Sequence, residues 1–423
     1  MITKEIVRQL IYEAKDLEFF VERDIYAEIE KLIEVRHIIL IQGIRRSGKS
    51  TLMRILEKEL SSKYSKKNVL HINFEDNRLL NLDIKDLDKI YEYFLEINQP
   101  QGRIFLLFDE IQNIEKWEKW LNSIYERQHD KVKFFITGSN SSLTRSKYAT
   151  SLTGRNLTIS IYPFSFKEYL RSKSINIKTI RNIYNNKVTI KSELDNYLHS
   201  GGFPEIALMQ DKEIRRQLLQ SYFSDIIHRD VLFKHDIKDV FYFEGLVKYL
   251  ITNIGNLFSY NKLHKTFEYS ISTIINYISY LRECFMIDII SYYDFSLKKQ
   301  EKTHKKIYCI DNGLRNALSF KFSGDMGTLA ENLVFIELKR RGNDIYYWNG
   351  ANEVDFVFKN KDNSLTAINM TYSDEINERE FKGLKEFKNK FKSKVKEIIL
   401  ITLDYEDEKD GIRLIPLWKW LLE

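Results

Sequence analysis

Apolar positions along this chain fall into two patterns. Short, nearly unbroken runs at residues 35–42 (VRHIILIQ), 103–110 (RIFLLFDE), 132–137 (VKFFIT) and 395–402 (VKEIILIT) read as buried strands. Other stretches repeat at helical spacing. Leu52, Ile55, Leu56 and Leu60 share one side of a helix over 52–60. Leu208, Leu218, Leu219, Tyr222 and Ile226 recur within a charged stretch over 205–234, which reads as a helical segment. Strands alternating with helices predict an α/β core of parallel strands at the start of the chain.

The pattern then changes. Residues 243–254 and 259–267 read as two helices, and Ser270 caps a third that runs to residue 284. Ile271, Ile274, Ile275, Ile278 and Leu281 mark the buried side of that helix, and Ser272, Thr273, Asn276, Ser279 and Tyr280 its outer face. A hairpin over 286–292 and 307–310 follows, so this segment reads as a winged helix. A helix at 327–342 and strands at 345–348, 353–358, 367–370 and 395–402 make up a final α/β segment.

Chemistry enters where the first strand ends. It runs into Gly43-Ile44-Arg45-Arg46-Ser47-Gly48-Lys49-Ser50-Thr51, and the 52–60 helix follows directly. Strand, G-x-x-x-x-G-K-S, helix is the context of a phosphate-binding P-loop. Gly43 and Gly48 let the backbone curl its N–H groups toward phosphate oxygens, and the helix start adds positive potential. Lys49 is expected to reach the β- and γ-phosphates of ATP, and the Ser50 hydroxyl to ligate Mg2+. Arg45 and Arg46 either contact phosphate or face solvent.

Asp109 and Glu110 close the second strand, at the end where open α/β sheets bind ligands. Asp109 is expected to hold Mg2+ through a water, and Glu110 to orient and deprotonate the attacking water. The third strand ends in Gly138-Ser139-Asn140-Ser141. Asn140, with Ser139 second, suits a sensor of the γ-phosphate, while plain turn chemistry is the alternative. Arg155 precedes a strand over 156–162. It suits an arginine finger directed at a neighbouring subunit, or an ordinary surface arginine.

The segments GIRRSGKSTLM, LLFDEIQNIEKWEKWL, FFITGSNSSL, LTGR, YPFSFKEYL, GGFPE and ENLVFIEL…EVDFVF span nearly the whole chain. In this order they resemble archaeal and bacterial AAA-type ATPases that carry a winged helix and a C-terminal nuclease-like domain. The resemblance implies that Pro204, in Gly202-Phe203-Pro204, packs near the adenine at the start of a helical lid. Arg23-Asp24 would flank the base, and Trp117 and Trp120 would be packing residues. The last segment would have the restriction-endonuclease fold, with Glu331 and Asp355 matching its first two metal-binding positions. Where an active enzyme has an acid and a lysine, this chain has Asn369 and Thr371. The domain is therefore expected to be degenerate and used for binding or assembly, with Lys382 or Lys385 as candidates to replace the missing lysine.

Length and charge sharpen this picture. At 423 residues the chain exceeds one ordinary core. The expected division is a P-loop core over 1–165, a helical lid over 166–238, a winged helix over 239–312 and a nuclease-like domain over 313–423. Net charge is +6, with Lys298, Lys299, Lys305 and Lys306 crowded into the hairpin tip. A basic wing of this kind suits DNA phosphates, or merely keeps an exposed hairpin soluble. Cys284 and Cys309 lie in apolar runs without metal-ligand spacing, and no run is long enough to span a bilayer. The first twenty residues lack a cleavable apolar segment, so a cytoplasmic protein is expected. The leading expectation is an ATPase of AAA type, homo-oligomeric and coupled to DNA. The alternatives are an ATP-gated DNA nuclease and a slow-turnover signalling scaffold.

Overall fold

A computed structural model describes residues 2–13, 20–138, 154–319, 326–373 and 375–423. The chain forms two compact units, Met1–Tyr162 and Pro163–Glu423.

In the first unit the described elements are α1 (Lys4–Tyr12), α2 (Tyr26–Leu32), β1 (Ile38–Gln42), α3 (Lys49–Lys63), β2 (Val69–Asn73), α4 (Ile84–Asn98), β3 (Ile104–Asp109), α5 (Trp117–Gln128), β4 (Val132–Gly138) and β5 (Asn156–Ser160). The strands form a parallel sheet in the order β2-β3-β4-β1-β5. Every residue of β3 and β4 is buried, as suits their mostly apolar runs. Alternate side chains feed two cores. Leu40, Leu106 and Phe108 pack with α4 and with Trp117 and Trp120 of α5, while Ile41, Phe105 and Leu107 pack with Leu52, Leu56 and Leu60 of α3. This order brings the ends of β1 and β3 to either side of β4.

Lys133 is a charged residue in the interior of the sheet. It is fully buried, and its Nζ donates to Val35 O at 2.6 Å and His37 O at 2.7 Å. Burial, helped by the charge of Arg103, lowers its pKa to about 7.

The second unit begins with α6 (Phe166–Ser172), α7 (Ile180–Asn185), α8 (Lys187–Ser200), α9 (Pro204–Leu208) and α10 (Lys212–Asp225), which continues as a π-helical turn (Ile226–Leu232). Next come α11 (Val240–Thr252), β6 (Leu257–Phe258), α12 (Tyr260–Phe267), α13 (Ile271–Glu283), β7 (Ile287–Tyr292), α14 (Leu297–Lys302) and β8 (Lys305–Cys309). The last elements are α15 (Asn312–Leu318), α16 (Met326–Arg340), β9 (Ile345–Asn349), β10 (Glu353–Lys359), β11 (Leu365–Met370), α17 (Glu378–Phe391), β12 (Val395–Thr402), β13 (Asp407–Lys409), β14 (Ile412–Pro416) and α18 (Leu417–Trp420).

Among the described residues, the strands of this unit join in one sheet, ordered β13-β14-β12-β11-β10-β9-β7-β8-β6. The expected hairpin of β7 and β8 is present and antiparallel. It does not stand free, because β7 also pairs in parallel with β9 through Ser291 with Tyr346 and Tyr292 with Tyr347. Ser270 caps α13 as expected, its side chain accepting from Thr273 N. Ile271 and Ile275 were expected on the buried side of that helix but are 39% and 44% exposed. Ile274, Tyr277, Ile278 and Leu281 already make a complete buried stripe at helical spacing.

The basic hairpin tip needs a larger correction. Lys298 and Lys299 are exposed on α14, with Lys299 3.5 Å from Asp294. Lys305 and Lys306 are buried instead, because β8 lies inside the sheet between β7 and β6. Lys305 Nζ donates to Ser291 Oγ at 3.1 Å and to Glu301 at 3.3 Å, and Lys306 turns toward acids of α16 and β10. Neither is available to a DNA backbone. Cys284 and Cys309 are buried free thiols. Among the described residues no helix is long and apolar enough to cross a membrane.

Candidate active site

The sequence around the P-loop leaves the backbone little choice. A Cβ on Gly43 would stand 2.1 Å from Ile161 O, and Gly48 adopts φ 97°, in the left-handed region. Only glycine fits both constraints. Gly48 opens α3, so the N–H groups of its first turn, with Lys49, Ser50 and Thr51, have no earlier helical carbonyl to bond. Arg46 also has positive φ and its side chain is exposed. Ser47 is fully buried, and its Oγ has no hydrogen-bond partner.

The Lys49 ammonium is buried. It donates to Gly43 O at 3.0 Å and Ile44 O at 3.2 Å, and lies 3.8 Å from Glu110 Oε1. Asp109 and Glu110 sit at the end of β3 and are also buried. Glu110 adopts φ 53°, a conformation costly to a residue with a Cβ, which turns its side chain away from the strand direction. Gln112 Nε2 donates to its carboxylate. Ser50 and Asp109 line one cavity of about 300 Å³, together with Arg54, His71, Asn73 and Glu75. A hydroxyl and a carboxylate facing one space are the donor set a hard divalent cation takes.

Three further residues brace this arrangement. Thr137, at the end of β4, donates its hydroxyl hydrogen to Asp109 Oδ1 and accepts from Glu110 N at 3.1 Å. Arg23 donates to Ser47 O at 2.9 Å and Tyr162 O at 2.7 Å, clasping the loop apex to the chain after β5. Arg45 pairs with Glu75 at 3.0 Å. Sequence reasoning missed Thr137 and Gln112 and assigned Arg23 a different place, beside the base. The signal for Thr137 was its position at a strand end, but only the pairing of β3 with β4 makes it Asp109's neighbour.

Of the remaining expected residues, only Arg155 can be placed relative to this site, and it is not gathered here. Asn140 and Ser139 lie outside the described residues. Arg155 precedes β5 beside the start of β1, whereas the P-loop leaves the end of β1, about 15 Å away along the strands. Its guanidinium folds onto α5, 2.8 Å from Glu126 and 3.2 Å from Asn122. Pro204 opens α9 in the second unit.

Also in the second unit, Glu331 of α16 and Asp355 of β10 meet around Lys306, at 3.1 and 3.5 Å from its Nζ. Burial and the charge of Glu331 raise the pKa of Asp355, and the Lys306 ammonium beside it pulls the other way and favours its charged form. Asn369 accepts from Asp355 N at 3.0 Å and donates to Glu380 Oε2 at 3.0 Å. The helix lysines considered as replacements point elsewhere, Lys382 to Glu378 at 3.2 Å and Lys385 to Asp410 at 2.5 Å.

Comparison with known proteins agrees with the first unit. Residues 35–170 match a family described as an AAA domain, and residues 191–325 and 326–420 match two domains of unknown function. The chain is 33% identical to the uncharacterized protein MJ1544 of Methanocaldococcus jannaschii, over 93% of this chain and 90% of that one. It is 30% identical to an uncharacterized protein of Haemophilus influenzae, over 100% of this chain and 99% of that one. Among solved structures it is similar to the Walker-type ATPase paby2304 of Pyrococcus abyssi, with TM-score 0.43 and 16% identity over 73% of this chain and 99% of that one. With a parallel sheet, a P-loop and an acidic strand end in place, the chain carries an AAA domain and belongs to the same family as these uncharacterized archaeal and bacterial relatives.

Proposed function

We propose that this protein binds Mg-ATP at the P-loop and hydrolyses it, using the energy to change its own conformation. The observation that carries the reading is the convergence of Lys49, Asp109 and Glu110. A buried ammonium lies 3.8 Å from one carboxylate, and the neighbouring carboxylate shares a cavity with Ser50. The N–H groups from Gly43 to Thr51, including those of Arg46 and Ser47, would hold the phosphates. Lys49 would leave its carbonyl partners for the β- and γ-phosphates, which offer it stronger, charged acceptors. Mg2+, when bound, offsets phosphate charge; Ser50 and Asp109 would hold it, and Thr137 would keep Asp109 aimed. Released from Lys49, Glu110 would orient the attacking water and take its proton.

Outside this site the reading is coarser. We read residues 240–309 as a winged helix and residues 326–420 as a nuclease-like fold used for binding or assembly. The exposed Lys298, Lys299 and Lys302 of α14 would hold DNA phosphates without reading sequence. Arg155 is too far along the sheet to serve its own P-loop, so a catalytic role for it requires a neighbouring subunit and a homo-oligomer.

Phosphate release by the purified chain tests the core of the reading. Turnover should vanish in Lys49→Ala and in Glu110→Gln, with ATP binding retained only in Glu110→Gln. Turnover unchanged in both variants would refute it.

A further inference from the structure

Lys306 is only 3% exposed, and its ammonium is aimed at three carboxylates from two other elements. Its Nζ lies 2.5 Å from Glu353 Oε1, 3.1 Å from Glu331 Oε1 and 3.5 Å from Asp355 Oδ1. The Glu331 contact is a hydrogen bond, while Glu353 Oε1 pairs with it by charge, outside hydrogen-bond geometry. Tyr308, two residues along the same strand, donates to the same Glu331 oxygen at 2.7 Å. Met370 N donates to Asp355 Oδ2 at 2.9 Å. Glu331 and Asp355 are thus held in place by neighbours of their own, and the ammonium is the cation all three acids face.

Burial by itself would strip the proton from such a lysine. The charges of Glu331, Asp355 and Glu353 outweigh that effect and hold Lys306 well above its ordinary pKa, so it stays positive. A buried cation with this many anionic partners leaves no space for a second cation among them. Among the described residues, no group of three or more His, Cys, Asp or Glu is arranged to hold a metal ion. The facing position on β11 points the same way. Asn369 spends its amide on Glu380 and on the Glu353 and Glu380 carbonyls, as a bracket for the strand and helix beside the acids.

We propose that Lys306 is the resident cation of this carboxylate centre. The ammonium delivered by β8 stands where a divalent metal would be needed, and it ties β8 to α16 and β10. The C-terminal domain is then an assembly module whose acids are satisfied internally, and it does not cut nucleic acid by metal catalysis. This inference is independent of the nucleotide reading.

Two measurements on the full chain without nucleotide test it, with Mn2+ as the probe. In the wild type, electron paramagnetic resonance should find no Mn2+ site that Asp355→Asn removes, and plasmid with Mg2+ should stay intact. Lys306→Met keeps the aliphatic stem and deletes the charge. It should melt about 5 °C or more below the wild type. Mn2+ should raise the melting point of Lys306→Met, as the freed acids close on the ion at about 2.0–2.6 Å. The same addition should leave the wild type and the Lys306→Met/Asp355→Asn double variant unmoved. An Asp355-dependent Mn2+ site or nicking activity in the wild type would overturn the proposal. So would a Lys306→Met chain that melts like the wild type, or one that melts early and gains nothing from Mn2+.

Discussion

Two buried lysines face acids in this molecule, and they are held in opposite ways. Lys49 donates to two carbonyls of its own loop and lies 3.8 Å from the Glu110 carboxylate. Lys306 has three carboxylates within 3.5 Å. Carbonyl oxygens are weak partners for an ammonium, and a triphosphate displaces them readily. Three carboxylates are not displaced by a neutral or anionic ligand. One lysine is poised to change partners, and the other has none to gain. Residue type and burial are alike at the two sites, and these partners differ, carbonyls of the loop at one and carboxylates at the other.

The sharpest way to break this contrast is to remove the acid that accompanies each lysine. Glu110→Gln should lower the rate of ATP hydrolysis by about 10²–10⁴-fold while ATP still binds, as measured by phosphate release and nucleotide titration. Asp355→Asn should leave that rate unchanged. Exchanging the lysines comes next. Lys49→Met should abolish ATP binding yet leave the melting temperature close to the wild type. Lys306→Met should keep turnover and lose about 3–5 kcal/mol of stability in denaturant unfolding, the usual cost of breaking a buried ion pair. A stability loss in Lys49→Met as large as that in Lys306→Met would erase the distinction.

Smaller effects refine it. Thr137→Val removes the hydroxyl that joins Asp109 to the Glu110 backbone. It should cost about tenfold in kcat with little change in ATP affinity, since the bond aims the acids and is not itself a phosphate contact. Replacing Lys298, Lys299 and Lys302 with alanine should flatten the salt dependence of DNA binding, whereas replacing Lys305 should not. Lys133 offers a third kind of buried lysine, paired with carbonyls alone. Its folded pKa of about 7 lies below the ordinary 10.5, so the unfolded chain binds more protons between those values. Stability should therefore rise with pH from about 7 to 10.5, the gain being lost again as pH falls back to about 7. Lys133→Met should remove that slope in pH-dependent unfolding.

Local order made part of this legible. The P-loop spans nine consecutive residues between a strand and a helix, and Asp109–Glu110 follow an unbroken apolar run, so both could be read along the chain. Glu331 and Asp355 were picked out by resemblance, and the structure brings them together. What stayed hidden depends on pairing at a distance. Thr137 meets Asp109 only because β3 and β4 are neighbours, and Lys306 meets Asp355 only because β8 lies in the same sheet as β10. Charge misled at that point. Lys305 and Lys306 belong to a basic run, and such a run reads as exposed until the acids that neutralise it are placed.

The parallel pairing of β7 with β9 decides where the gene for this protein can be divided. A fragment starting after Asp311 would keep β9 but lose β7, leaving the backbone beside Tyr346 and Tyr347 without its neighbour. An uncovered edge of that kind invites aggregation in expression. A cut between Tyr162 and Pro163 severs no strand pair among the described residues, and it leaves Arg23 its carbonyl acceptor on Tyr162. Truncation libraries should therefore yield soluble pieces at that junction and inclusion bodies at the other.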